Sequence, residues 1–529
     1  MRKLEDLKRQ LSEGRIDRRQ FIKQATVLGM AAAVPLSIRV EEAKAAAPKR
    51  GGKLRQAVRG GSTSDSLEGA VIFDTHGVNT SWQIRNNLTE VTADGDVTGE
   101  LADGWEANKD ATVWAFKLRD GVEFHNGKTL DADDVVHSIN VHRRPDTKSG
   151  ASGAVAGIEE LKADGPNVIF TLKEGNADFP FLMADYHLTI APAETEGKQW
   201  DEGIGTGAYV LTAWEPGVRS ASKRNPNYFK EGRAHFDEVE TLNVLDVNAR
   251  TNSLRTGAVD VIEAPELKTL HLLDKAPDIN VVEANANKHH EFIMDTRVPP
   301  FDNNDVRLAL KYAINRQALL DTILRGRGYV GNDHSIGRGQ KYFAKEIPQR
   351  EIDLDKARFH LKKAGLAKLS VKLHAADAAW AGAVDGALLF KEHAAPAGID
   401  IEVVREPGDG YWSNVWMKEA FTASYWAGRV TEDWMFSVGY AEDAAWNAAY
   451  WKHERFNKLL KLARAELDES KRREMYAEMQ LIVRDEGGTI IPMFGNFVSA
   501  TTTKVQTPDK VAGNWALDGW KSAERWWFA

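Results

Sequence analysis

Trp114-Ala115-Phe116-Lys117-Leu118-Arg119-Asp120-Gly121-Val122-Glu123-Phe124-His125-Asn126-Gly127 is the stretch from which the fold is read. Trp114, Phe116 and Leu118 alternate with Ala115, Lys117 and Arg119, the period of a strand with one buried face. Asp120-Gly121 is a strong turn signal, Val122 and Phe124 predict the returning strand of a hairpin, and Asn126-Gly127 turns again. Asp131 then caps a helix that carries Val135, Val136 and Ile139. A further strand reads over residues 168–172, so residues 88–201 form a β-rich stretch of hairpins and short helices.

Upstream, residues 53–59 alternate Leu54, Gln56 and Val58 with Lys53, Arg55 and Arg59, which predicts a half-buried strand followed by a Gly-rich loop. Downstream, residues 204–210 open a second β-rich stretch. From Pro299 helices and strands alternate. Asn303-Asn304-Asp305 caps a helix with Val306, Ala309, Leu310 and Ala313 on one face, and residues 354–364 form another that Gly365 ends. Residues 369–373 and 399–404 read as strands, residues 455–483 as one long helix, and residues 489–494 as a strand before a Trp-rich tail. The texture is α/β with an inserted β-rich part.

The 529 residues suit about three domains or one elaborate two-lobed fold. Lys and Arg number 69 against 77 Asp and Glu, and residues beyond Ala47 carry −12, a poor footprint for nucleic acid. With no cysteine, disulfides, iron–sulfur clusters and thiol catalysis are excluded. Arg18-Arg19-Gln20-Phe21-Ile22-Lys23 precedes an apolar run over residues 25–38, too short to span ~30 Å of hydrocarbon. Small residues follow at Ala43-Lys44-Ala45 or Ala45-Ala46-Ala47. The pattern predicts a twin-arginine signal peptide over residues 1–45 and a periplasmic mature protein.

Chemical motifs are sparse. Gly121 and Gly127-Lys128-Thr129 have five intervening residues where a phosphate loop needs four. His137, His142 and the His289-His290 pair form no ligand set for a metal, no cofactor motif stands out, and no Gly-x-Ser-x-Gly elbow is present. Carboxylates are plentiful, and spacing alone leaves a glycosidase pair open. The richest stretch is residues 410–440, with Trp412, Trp416, Tyr425, Trp426, Trp434 and other rings around Arg429 and Asp433. Many of these rings fill a core, yet Trp426-Ala427-Gly428-Arg429 ends a strand, where open α/β sheets place ligands.

The chain resembles the large extracytoplasmic solute-binding proteins of the peptide/nickel class, family 5, which serve ABC importers. The resemblance rests on Gly104-Trp105, the 114–127 stretch, Leu130-Asp131-Ala132-Asp133-Asp134-Val135, Gly205-Thr206-Gly207-Ala208-Tyr209, Asn225-Pro226-Asn227-Tyr228 and residues 306–316. It implies an α/β two-lobed clamshell with an extra β-rich subdomain in lobe one, the cluster C type. Lobe one would comprise residues 48–87, the subdomain 88–204, then 205–290 and 489–529; lobe two would be 291–488. Strands near 291–295 and 489–494 would cross between the lobes as a hinge. Peptide-binding members carry an Asp three residues after a Trp to pair with the peptide amine. Here Arg429 stands there, which suits a carboxylate or phosphate. The expected ligand contacts are Arg429, Trp426, Tyr425, Trp434 and Trp412 from lobe two, and Thr75 and His76 from lobe one; the alternative partner for Arg429 is Asp433.

The function expected is a monomeric periplasmic binding protein that closes on a small solute (a peptide, opine, oligosaccharide or other carboxylate-bearing compound) and delivers it, without chemistry, to an inner-membrane ABC permease and ATPase. Competing readings are a periplasmic hydrolase and a receptor for chemotaxis or sensing.

Overall fold

The computed structural model describes residues 48–529, so the expected signal peptide lies outside the described residues. Lys53–Val58 is the central strand of a seven-stranded sheet, parallel to Glu238–Asn243 on one side and Val261–Glu263 on the other. Arg219–Arg224 and Tyr209–Glu215 extend one edge; Phe497–Thr502 and Ile279–Ala284 extend the other. The strand is more buried than its alternation predicts. Leu54 and Val58 face one apolar cluster and Ala57 another, because a parallel central strand is covered on both faces. Gln56 is buried too, with Nε2 donating to Asn79 Oδ1 at 2.7 Å and Thr241 Oγ1 at 2.9 Å.

Residues 102–172 build a separate antiparallel sheet, in the order Ala102–Ala107, Val113–Leu118, Asn167–Leu172, Ile158–Asp164. Trp114, Phe116 and Leu118 are buried in it, with the Phe116 ring 5.5 Å from Phe170. The returning strand over residues 122–124 does not form. Gly121 (φ 72°) and Gly127 (φ 84°) do turn the chain, but a strand has two edges, and both edges of Val113–Leu118 are already paired. Val122 and Phe124 instead anchor a surface loop by their buried side chains, and the Phe124 N–H donates to the Lys128 carbonyl at 2.8 Å. Asp131 caps Ala132–Val141 in a capping box with Asp134.

The third large sheet runs Gly328–Val330, Thr489–Gly495, His289–Met294, Phe421–Trp426, Leu369–Ala375, Ile399–Arg405. Phe292 and Met294 face the apolar cluster shared with Asn304–Tyr312 and Ala383–Ala394, while Ile293 faces the cluster of the C-terminal helices. Residues 455–483 are two helices, Glu454–Ala465 and Glu469–Glu486. Asp468 breaks the run because its carboxylate caps the second helix, accepting from the Ser470 and Lys471 N–H groups.

The fold is α/β and two-lobed, and its crossings fall between strands. Ile279–Ala284 belongs to the seven-stranded sheet and His289–Met294 to the six-stranded one, so residues 285–288 make the first crossing. Thr489–Gly495 pairs with His289–Met294, so the second crossing is at Asn496, and residues 489–495 lie with lobe two rather than lobe one. The cause is pairing: both strands expected to cross are hydrogen-bonded side by side in one sheet. Side chains also bridge the lobes, with Arg327 on Asp274 and Glu283, and a buried Arg472–Asp178 pair at 2.6 Å.

Asp333 is fully buried between Arg316 (2.6 Å) and Arg350 (2.8 Å), and accepts from the Ile491 N–H at 3.1 Å. Removing one partner of such a cluster leaves uncompensated buried charge. Asp333→Asn is expected to cost ~3–5 kcal/mol, read as a lowered urea midpoint; an unchanged midpoint would refute the role of this cluster.

Burial pushes the Glu291 carboxyl up to about 8. The native state therefore keeps a proton that the unfolded chain releases near pH ~4.3, and stability falls as pH rises from there through about 8. Glu291→Gln should gain stability relative to the parent between pH 5 and pH 8 in parallel urea titrations. A difference independent of pH would count against this assignment.

Candidate functional site

The parallel strands of both lobes point their carboxyl ends at one another. In lobe one, Lys53–Val58, Glu238–Asn243 and Val261–Glu263 deliver Arg59, Leu245 and residues 263–268. In lobe two, Leu369–Ala375 runs parallel to Ile399–Arg405 and to Phe421–Trp426; the first delivers residues 377–382 and the last Tyr425. Between them lies a cleft of about 740 Å³, floored by Lys288, His290, Asn496 and Phe497 from and beside the two crossings. This is where open α/β sheets hold ligands, because the loops there converge without competing for strand hydrogen bonds.

Arg429 follows Phe421–Trp426 through Gly428, whose φ of 92° and close approach to Asn287 exclude a side chain. Its carbonyl accepts from Asn287 Nδ2 and Gln340 Nε2, both at 3.3 Å. Its guanidinium sits 5.0 Å from the Trp426 ring, 5.7 Å from Trp434 and 5.9 Å from Trp446. Nη1 donates to the Gly428 carbonyl at 2.6 Å; among the described residues no carboxylate forms a salt bridge with it. Asp433 is not its partner, since Arg464 takes both Asp433 oxygens at 3.1 and 3.2 Å. Burial lowers the pKa of Arg429, opposed by Asp185 and Tyr186 of lobe one. Tyr186 is stacked on His187 and set edge-on to Trp515. Burial raises the Tyr186 hydroxyl pKa, with Asp185 adding to the rise.

The expected aromatic walls divide. Tyr425 and Trp426 are neighbours on one strand, so they project to opposite faces. Tyr425 lines the 740 Å³ cleft and meets Trp412, ring centroids 5.8 Å apart. Trp426 joins Arg429, Trp434 and Trp446 on the other face. Trp412 and Tyr425 are 41% and 44% exposed, and so offer ring surface. His76 is a correction: it is fully buried inside lobe one, stacked at 4.9 Å on Trp214, and burial pushes its pKa down to about 4. It is the second residue of Thr75–Ile84, a helix whose buried face includes it, and Thr75 is the half-buried first residue, after the Asp74 cap.

Sequence reasoning missed Trp446, Tyr186, Trp380, Glu263 and Lys288. The strand-end rule could have found two of them. Glu263 ends a strand, and Trp380 lies in the loop after another. Tyr186 and Trp446 come from remote segments with no local signal. Buried carboxylates and cations also gather at Glu90, Glu100 and Glu524, but Lys230, Lys521 and Arg525 fill that cluster with salt bridges, which suits structure rather than metal binding.

Comparison with known proteins places this geometry. The model of bacterial extracellular solute-binding proteins, family 5 (middle region), matches residues 96–448. The chain is 25% identical over 455 residues to di/tripeptide-binding protein 1 of Pseudomonas aeruginosa, covering 76% of this chain and 81% of the relative. It is 24% identical over 479 residues to the oligopeptide-binding protein OppA of Bacillus subtilis, covering 80% and 83%. The structure of HbpA2 from Haemophilus parasuis superposes with a TM-score of 0.79 at 22% identity, covering 88% of this chain and 99% of that one. With two thirds of its length matched by one family model, the chain belongs to the bacterial extracellular solute-binding proteins, family 5.

Proposed function

We propose that this binding protein takes a carboxylate-bearing or otherwise anionic small solute, and that Arg429 is its anion clamp. The chain is a solute-binding component of ABC import and not an enzyme, as membership of family 5 entails, and it works in the periplasm. Among the described residues no helix is long and apolar enough to cross a membrane. We assign export to the twin-arginine route on Arg18-Arg19 and the apolar run behind it, and action as a monomer. The inserted subdomain is assigned to residues 88–204, and the closing motion to the crossings at 285–288 and 496.

One observation carries the ligand reading. A partly buried guanidinium, caged by three tryptophans, spends a single hydrogen bond on its own loop and has no carboxylate in salt-bridge range. Its remaining donors suit the two oxygens of a carboxylate, and the indole faces favour its charge. Relatives of the family serve varied cargo. The named curated relatives bind peptides, and a neighbour of TM-score 0.70 is AgaA in complex with agropinic acid. Closure follows from differential affinity, since a solute touching both lobes stabilises the closed form over the open one.

Arg429→Ala is expected to weaken the binding of a carboxylate solute by ~1.5–3 kcal/mol, roughly 10- to 150-fold. Arg429→Lys should recover only part of it, because an ammonium lacks the bidentate fork. Calorimetric titration against a metabolite library checks both. Unchanged affinity in the Ala variant for every solute the parent binds would sink the clamp.

A further inference from the structure

Residues 88–204 reach across to lobe two at two places. The Ala177 N–H donates to the Arg464 carbonyl at 2.6 Å, in the last turn of Glu454–Ala465, where a helix leaves carbonyls without donors of its own. Beside it the Asp178 carboxylate accepts from Arg472 Nη2 at 2.6 Å. Arg472 is positioned from within lobe two. Its Nε donates to the Ala463 carbonyl at 3.1 Å, and its guanidinium lies 5.0 Å from the Tyr342 ring and 5.5 Å from the Tyr476 ring. The second place is the turn between Thr89–Val91 and Val97–Gly99. A Cβ on Gly95 would stand 2.3 Å from the Gly339 carbonyl oxygen, so the two backbones touch there. Next to this contact Lys341 pairs with Asp96 at 3.3 Å.

The subdomain is fastened to lobe one. Glu90 and Glu100 are buried against Lys230 at 3.1 and 2.6 Å, and Lys521 and Arg525 complete the cluster from the C-terminal tail. Breaking that cluster would leave several charges buried without partners, so the subdomain follows lobe one when the lobes move. The chain passes between the two large sheets in residues 285–288 and at Asn496, and the contacts at 95–96 and 175–178 join parts on either side of those crossings. Their chemistry suits a joint that opens. A buried ion pair recovers its hydration when it is pulled apart, whereas apolar surface gains nothing from water. Asp178 Oδ2 is buried without a hydrogen-bond partner, so Arg472 compensates this carboxylate only in part.

We propose that the inserted subdomain is a latch on lobe two, with Asp178–Arg472 as its buried contact and Asp96–Lys341 at its rim, and that it holds the lobes together in the solute-free protein. The inference rests on the lobe motion assigned to the two crossings and not on the Arg429 clamp. It places part of the closing free energy in contacts between the lobes themselves, made by residues other than the expected solute contacts. The apparent affinity for any solute that needs the lobes together then rises with the latched fraction.

The chain has no cysteine, so Lys223→Cys on lobe one and Lys391→Cys on lobe two, both at exposed positions, accept a dye pair. Single-molecule energy transfer then reads the separation of the lobes in the mature chain without any solute. The parent is expected to sit mainly at the separation seen in the structure. Asp178→Asn should lower the ratio of closed to open molecules roughly 10- to 150-fold, the loss of one charge-assisted hydrogen bond. Asp96→Lys, at an exposed position, should lower it about two- to fivefold, and adding Lys341→Glu should restore it. Circular dichroism and urea midpoints check that each variant is folded; if Asp178→Asn is not, the Asp96 and Lys341 variants decide. A parent found mainly open overturns the latch. So does a parent that samples both separations in a ratio the variants leave unchanged, and in that case the lobe motion stands. One fixed separation in the parent and in every variant overturns both.

Discussion

Two short pieces of backbone, residues 285–288 and Asn496, carry the chain between the seven-stranded and six-stranded sheets, and the rest of the molecule is arranged around them. Because the crossings lie between paired strands, each sheet keeps its hydrogen bonds if the lobes move, and few dihedral angles need to change. The same crossings put Lys288 and Asn496 on the floor of the cleft. A solute bound there would touch the connection between the two sheets.

Around the crossings, the charges of the two lobes are treated in different ways. Two buried clusters pair their charges: Asp333 has two arginines, and Glu90, Glu100 and Glu524 share two lysines and Arg525. Arg429 and Lys288, on the two faces of the Phe421–Trp426 strand, form no salt bridge among the described residues. A folded protein tolerates uncompensated charge only where something can compensate it. The inter-lobe Arg472–Asp178 pair, with side chains only 5% and 4% exposed, shows that the lobes also meet directly.

Much of the fold was legible because it is local. The alternation of Trp114, Phe116 and Leu118, the caps at Asp131 and Asn303, and the strands read over 369–373 and 399–404 all follow from short-range rules. Failures came where a local rule met a non-local competitor. Residues 122–124 had turn signals on both sides, yet no free strand edge remained for them. Residues 466–468 interrupt an apolar helical pattern because Asp468 caps better than it continues. The site was harder. Arg429 and its tryptophans are close in sequence, so their association could be read there, whereas His76 looked like a loop residue and became core once Trp214 folded over it.

By itself the sequence determined the α/β class, the positions of many elements, the family signature and the unusual guanidinium at 429, because each depends on residues within a few positions of one another. Only the tertiary structure decided where the chain crosses between lobes, that Tyr425 and Trp426 serve opposite faces, and that Glu263, Lys288, Trp380 and Asn496 share one cleft. Those facts depend on which strands pair and which loops converge. Side chains separated by some 230 positions become neighbours only when both sheets are complete.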